Sequence, residues 1–415
     1  MPHQRPKGTR DLDAGLMARF EDIRFSFVRI AEEMGYSLVE FPVLESVDLF
    51  ERSTGETTDV VQKQMYRLQD GAGRDLALRP EGTPGLVRAA IQEGWLGGRN
   101  GERFAYYGPF FRYERPQKGR YRQFVQLGAE FIGSDTPQAD AETILLLAQL
   151  LEELEIEHTF KINTLGTPKE RENYREVLTS WLTERKEKLP KEDQANLTRN
   201  PLRILDSKRP QTRALLGDAP TILDQLGEAS KSRFSRVISL LEEADIPFEV
   251  DPFLVRGLDY YTQTVFEAVG AEGAQDAFGG GGRYDGLVKT LGGPDLPAVG
   301  FAAGVDRLAQ ATDYFEEPLP CLLIPLGDVG REEAWHLALE LWAEGISVRV
   351  AWHEDNLSKA LKRAHASGAA WVMILGENEL NAEVATLRNM ETGNQKTVPL
   401  KPSLIKRALG QDEDE

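Results

Sequence analysis

Residues Arg103 to Gly133 read RFAYYGPFFRYERPQKGRYRQFVQLGAEFIG, and this stretch decides the fold. It predicts two strands joined by a basic turn. The first, Ala105 to Glu114, carries Arg112 and Glu114; the second, Arg122 to Ile132, carries Gln126 and Glu130. Alternate residues of a strand share a face. Arg112 and Glu114 therefore point one way together, and Phe124, Gln126, Gly128 and Glu130 line one face of the partner strand. Pro116 and Gly119 suit the reversal, which also holds the cations Arg115, Lys118, Arg120 and Arg122. Phe110, Phe111, Phe124, Val125 and Phe131 mark the hairpin as buried. Buried charges are costly unless paired or used. A sheet face with an arginine, two carboxylates, an amide and a glycine is a polar pocket.

Working outward, 415 residues imply two to three domains, and the 41% hydrophobic and 28% charged shares are those of a globular chain. The N-terminus has no apolar signal region and no run approaches a membrane span, so the expected location is cytoplasmic, with no membrane partner. The single cysteine, Cys321, excludes an internal disulfide framework and a cysteine-based zinc site. A formal net charge of −18 argues against a general nucleic-acid coat. It leaves room for one RNA gripped by local basic patches, because screening confines each charge to about 10 Å.

KGTRDL (Lys7 to Leu12) precedes a helix of about twenty residues with an apolar stripe at Leu16, Phe20, Ile23, Phe27, Ile30 and Met34. Gly35 ends it as a left-handed cap, and a strand at Ser37 to Phe41 leads to Pro42. Met65 to Asp70 and Arg74 to Arg79 predict a hairpin. In LRPEGTPGLVRA, Thr83 is expected to cap a helix that has Pro84 at its first position, leaving Glu81 and Thr83 at the mouth of a turn. Thr136-Pro137 opens a Leu-rich helix to Leu154. Residues 166–246 are Lys/Glu-rich, predict several short helices, and show no chemistry. LVRGLDYYTQTVFEA then places Arg256, Asp259, Tyr260 and Tyr261 before an alternating strand. AFGGGGRYDGLV (Ala277 to Val288) and PAVGFAAGVDRL (Pro297 to Leu308) follow. No Gly-Lys pair and no GxGxxG after a strand occurs, so Walker and Rossmann readings fail, and the glycines are expected to admit a ligand close to backbone. After a 316–320 linker, EEPLP, apolar runs alternate with helical patterns, as in a layered α/β domain.

The hairpin form FRYERPQKGRYRQFVQLGAEFIG closely resembles motif 2 of class II aminoacyl-tRNA synthetases, in the version found in histidyl-tRNA synthetases. The first helix with its strand and Pro42 resembles motif 1, and PAVGFAAGVDRL resembles motif 3. RGLDYY and AFGGGGRYDGL resemble the two signatures special to the histidine enzymes. These blocks cover most of residues 7–312. The resemblance implies an α+β fold: a class II antiparallel sheet core over 1–165 and 247–316, a helical insertion over 166–246, and a C-terminal α/β anticodon-binding domain over 321–410. It implies a histidine–tRNA ligase that joins histidine to ATP with Mg2+, releases pyrophosphate, and passes the aminoacyl group to tRNA(His). It also implies a homodimer and no prosthetic group.

The same resemblance supplies roles. Arg112 and Arg256 meet the α-phosphate, where other class II enzymes are expected to use a metal; Arg307 meets the γ-phosphate and one adenine face, with Phe124 on the other face and Glu114 at the adenine edge. The RPEGT element, Glu81, Gly82 and Thr83, holds the amino acid with Gln126. Glu130 and Tyr261 suit the two imidazole nitrogens, Tyr260 lies beside them, and Tyr284 walls the pocket. None of the five histidines falls in these motifs, so a His-dependent mechanism or zinc site is not expected. A second reading is a catalytically silent paralogue serving as regulatory subunit of ATP phosphoribosyltransferase. Intact RGLDYY, Arg112, Arg307 and the C-terminal domain speak against it. A synthetase for another amino acid is a weaker reading, because Glu130 and Tyr261 suit imidazole.

Overall fold

The computed structural model describes residues 3–54, 58, 60–98, 101–116, 119–255, 260–270, 277–312, 321–353 and 356–410, with backbone alone at 198 and 199. Arg256, Asp259 and the 316–320 linker lie outside them. The chain divides into two units, 1–314 and 315–415.

In the first unit the strands are β1 (Ser37–Leu38), β2 (Leu44–Ser46), β3 (Tyr66–Gln69), β4 (Asp75–Leu78), β5 (Glu102–Phe111), β6 (Gln123–Ile132), β7 (His158–Thr164), β8 (Phe248–Val250), β9 (Thr262–Gly270), β10 (Gly279–Arg283) and β11 (Ala298–Gly304). Eight of them form one sheet in the order β1-β5-β6-β11-β10-β9-β7-β8. It is antiparallel except at its edges, where β1 runs parallel to β5 and β8 parallel to β7. The other three make a small sheet, β2-β4-β3.

The expected hairpin forms the heart of the large sheet, with Phe110 opposite Phe124, Gly108 opposite Gln126, Tyr106 opposite Gly128 and Phe104 opposite Glu130. Alternation then divides β6. Leu127 and Ala129 join a core with Phe20, Ile23, Phe27 and Ile30, while Gln126 and Glu130 face the other way. The helix supplying that stripe is Ala14–Glu33; Asp13 caps it by accepting from the Leu16 N–H, and Gly35 follows at φ +80°. Each large side chain buried on that stripe contributes about 1.5–3 kcal/mol before entropy is counted.

Three details depart from expectation. The strand after the helix stops at Leu38, because Phe41 leaves the ladder to pack edge-on against Tyr106 at 5.5 Å. The hairpin's first strand ends at Phe111, so Arg112 and Glu114 sit on the turn just beyond it, tied by the Arg112 N–H to the Arg122 carbonyl at 2.9 Å. The helical stretch is not uniform: its last helix, Glu228–Glu243, sends Val237 and Leu241 into the main core, whereas Tyr174, Leu178, Leu182, Ile204 and Ile222 build a separate one.

In the second unit, β12 (Cys321–Pro325), β13 (Val348–Val350), β14 (Trp371–Leu375), β15 (Val384–Asn389) and β16 (Gln395–Pro399) form a sheet in the order β13-β12-β14-β15-β16. Helices Gly327–Ala343, Leu357–Ala366 and Pro402–Leu409 accompany it. Burial of Cys321 in this core pushes its thiol up to about 12, which leaves it unreactive. Among the described residues no helix is long and apolar enough to cross a membrane.

Candidate active site

A cavity of about 810 Å³ opens on the polar face of the hairpin. Its floor is set by the RPEGT turn, and that turn is pinned by a residue the sequence reading passed over. Arg79, 2% exposed, donates to the Phe41 and Pro109 carbonyls at 2.7 and 2.9 Å. Its guanidinium lies between the Phe41 and Phe110 rings, 4.7 and 4.4 Å from their centroids. Gly108 has no side chain because a Cβ there would run into the Arg79 guanidinium.

Pinning the turn frees Thr83. The helix Thr83–Gln92 is capped by Gly82 without a side-chain bond, so the expected Thr83 cap does not form. Its hydroxyl instead donates to Glu130 Oε1 at 2.6 Å, which gives the buried carboxyl one of the partners it needs. The other oxygen of Glu130 accepts from the Tyr284 hydroxyl. Gly300 makes room for it, since a Cβ there would overlap Oε2. Beside this group, Glu81 accepts from Thr54 and from Tyr260, both at 3.0 Å. Burial pushes both carboxyls upward, Glu130 to about 8; hydroxyl donation and, for Glu81, the charge on Arg112 oppose the rise.

Glu81, Gly82, Thr83, Gln126, Tyr260 and Tyr261 line the cavity; Glu130 and Tyr284 sit directly behind that lining and reach it through Thr83 and Tyr260. The Tyr260 and Tyr261 rings are 4.7 Å apart. Tyr106, which the sequence reading did not single out, completes the group. Tyr106 and Gln126 both line the cavity, and the buried Tyr106 hydroxyl and Gln126 Oε1 have no hydrogen-bond partner among the described residues. Side chains at Gly82 or Gly128 would collide with that phenol. The signal was available: Tyr106 shares a face with Phe104 and Phe110, and Gly128 is the gap opposite.

The other end of the cavity is cationic. Arg112 donates to the Pro80 carbonyl at 2.8 Å, lies 4.0 Å from Glu114 and sits 5.4 Å from the Phe124 centroid. Arg307 donates to the Ala277 carbonyl at 2.5 Å. Arg120 lines the same end with Arg112, Glu114, Phe124 and Arg307. Gly279 and Gly280 line the cavity as expected, but the space at Gly281 and Gly282 is filled by the Gly300 and Thr264 carbonyls of neighbouring strands. The helical stretch, in which no chemistry was visible, contributes Leu205, Asp206, Lys208 and Arg213 to the lining.

Carboxylates, unfilled hydroxyl and amide groups at one end and guanidinium groups at the other suit a cation joined to a polyphosphate. The comparisons agree. The sequence model of the family described as "Histidyl-tRNA synthetase" matches residues 8–308, and that of the "Anticodon binding domain" matches 320–404. A histidine–tRNA ligase of Synechococcus sp. (strain JA-3-3Ab) is 42% identical over 98% of this chain and 99% of its own length. The solved structure of apo histidyl-tRNA synthetase from S. aureus superposes with a TM-score of 0.79 at 31% identity, over 97% of this chain and 99% of that one. A Bacillus halodurans structure described as an ATP phosphoribosyltransferase regulatory subunit/histidyl-tRNA synthetase has a TM-score of 0.67 at 22% identity, over 91% and 99%, a likeness of fold alone. The regulatory reading is therefore not favoured. With full-length likeness to ligases and both domains matched, this chain belongs to the histidyl-tRNA synthetase family and is an aminoacyl-tRNA ligase.

Proposed function

We propose that the cavity activates histidine with MgATP and then transfers the histidyl group to tRNA(His). The observation that carries this reading is the two-ended cavity, with Glu81 in the lining and Glu130 directly behind it at one end and Arg112 and Arg307 at the other. Glu81, the Gln126 amide oxygen and the unfilled Tyr106 hydroxyl take the α-ammonium group. Glu130, brought to the lining by Thr83 and held by Tyr284, takes the imidazole with Tyr261. Phe124 and Arg307 flank the adenine, with Glu114 at its edge.

The histidine carboxylate attacks the α-phosphorus, a P–O bond to the departing pyrophosphate breaks, and the phosphoryl oxygens gather negative charge. Arg112 and Arg256 neutralise that charge at the α-phosphate, and Arg307 holds the γ-phosphate. Little covalent work falls to the protein, and catalysis is largely position and charge. Mg2+ enters with the nucleotide as part of the substrate.

Every activation residue named here precedes 316, and the C-terminal unit is assigned to the tRNA. Removing 321–415 should therefore leave histidine-dependent ATP–pyrophosphate exchange within a few-fold of the full chain and sharply weaken tRNA charging. Loss of exchange from a folded truncated protein would overturn that division. A cytoplasmic homodimer completes the reading. The outer face of the Ala14–Glu33 helix leaves Phe25 68% and Met17 42% exposed, which supports a covering partner. Sedimentation velocity should find a dimer at micromolar concentration, and a stable monomer there would contradict it.

A further inference from the structure

The N-terminal peptide Lys7–Arg10, ahead of every motif used so far, is bound to both elements that flank the proposed nucleotide slot. Arg122, at the end of the hairpin turn, donates its N–H to the Gly8 carbonyl at 2.8 Å and its guanidinium to the Lys7 carbonyl at 3.2 Å. Gly8 holds φ +87°, and a Cβ there would press on Arg122 and Pro116, so the peptide lies directly against the turn. Two residues on, Arg10 donates to Asp306 Oδ1 at 2.5 Å, and its guanidinium covers the Tyr121 ring, 4.2 Å from the centroid. Asp306 is 4% exposed, and its second oxygen accepts the Val125 N–H at 2.9 Å.

One buried carboxylate thus joins the residue after Phe124 to the residue before Arg307. These are the two side chains assigned to opposite faces of the adenine. Burial already pushes the Asp306 carboxyl upward, and Arg10 and the Val125 N–H oppose that rise. A buried carboxylate deprived of its cation protonates or turns to water. Either change loosens the bridge to Val125 and with it the spacing of the slot.

We propose that Arg10 is a positioning residue for the nucleotide: by pairing with Asp306 it locks the strand carrying Phe124 to the helix carrying Arg307 at the separation an adenine ring requires. This rests on the assignment of Phe124 and Arg307 to the nucleotide and adds a residue outside the cavity lining to that site. Arg10 acts on ATP and leaves the histidine end, built from Glu81, Thr83, Tyr106 and Glu130, untouched.

The test is ATP–pyrophosphate exchange with ATP and histidine varied separately, on full-length Arg10→Ala, Arg10→Lys and Arg307→Ala, with thermal unfolding measured alongside. Arg10→Ala is expected to raise the KM for ATP about 10-fold and to change the histidine KM by less than about 2-fold. Arg10→Lys keeps the charge but loses the fork and much of the ring stacking, so it should give a smaller rise of the same one-sided kind. If Arg10→Ala does not fold, Arg10→Lys carries the comparison. An unchanged ATP KM, or equal rises in both KM values, overturns the role of Arg10. Arg307→Ala separates the two levels: if it raises the ATP KM while the Arg10 variants do not, only Arg10 falls, and if it too leaves the ATP KM unchanged, the nucleotide assignment itself is wrong.

Discussion

Arg112→Ala lowers the single-turnover rate of histidyl-adenylate formation by about 10²–10³-fold, the scale of losing one preorganised donor to developing charge. The fold should survive, because the only backbone contact described for this guanidinium is the Pro80 carbonyl at the cavity wall, where water can replace it. Two effects combine. The α-phosphoryl oxygens lose a fixed cation in the transition state, and only contacts that strengthen there raise kcat. Arg112 also restrains the rise of the Glu81 carboxyl. Without it burial pushes the Glu81 carboxyl further upward and the ammonium end weakens, so the histidine KM should rise modestly alongside the large loss in kcat. A normal single-turnover rate would remove Arg112 from the chemistry.

Glu130→Gln should lower kcat/KM for histidine by roughly 10- to 100-fold, the equivalent of about 1.5–3 kcal/mol for a buried charged hydrogen-bond partner, with the ATP KM little changed. A carboxylate only accepts, so it can receive Thr83, Tyr284 and a ring N–H together; an amide must turn one N–H toward a neighbour that now donates. The pH dependence has a definite sign. Burial raises Glu130 to about 8, so at neutral pH the empty pocket holds the neutral acid. Binding an imidazole N–H needs the anion, and kcat/KM for histidine should climb between about pH 6.5 and 8.5 in the parent protein and lose that limb in Glu130→Gln. Stability runs the other way. The folded state keeps this proton up to about pH 8, whereas the unfolded chain releases it near 4.5, the ordinary value for a glutamate. The stability that Glu130 contributes to the ligand-free protein is therefore lost as pH rises from about 4.5 to about 8, and Glu130→Gln should remove that one share of the slope. Parallel pH profiles for parent and variant would show that Glu130 does not meet the ring.

The elements that print their period in the sequence were legible: the Ala14–Glu33 stripe, the hairpin's alternation, and the helix opened by Thr136. The residues hidden from it depend on partners far along the chain. Thr83 has the local form of a cap, and only the return of Glu130, 47 residues later, shows why its hydroxyl goes elsewhere. Arg79 reads as one more charge until Phe41 and Phe110 close over it. Arg283, fully buried on Asp140 from 143 positions away, is equally silent in GGGGRYDG. Lys208 and Arg213 reach the cavity because the helical stretch folds back to it, which no spacing announces. Periodicity reports which face is buried; it does not report register between strands or which loop closes over a site.

The central claim is that the carboxylate end of this cavity selects histidine and the guanidinium end activates it. ATP–pyrophosphate exchange by the purified full-length chain, run with each common amino acid in turn, tests it most directly. Exchange that depends on histidine and is negligible with the others is the predicted result; exchange driven by a different amino acid, or none with histidine, would contradict it.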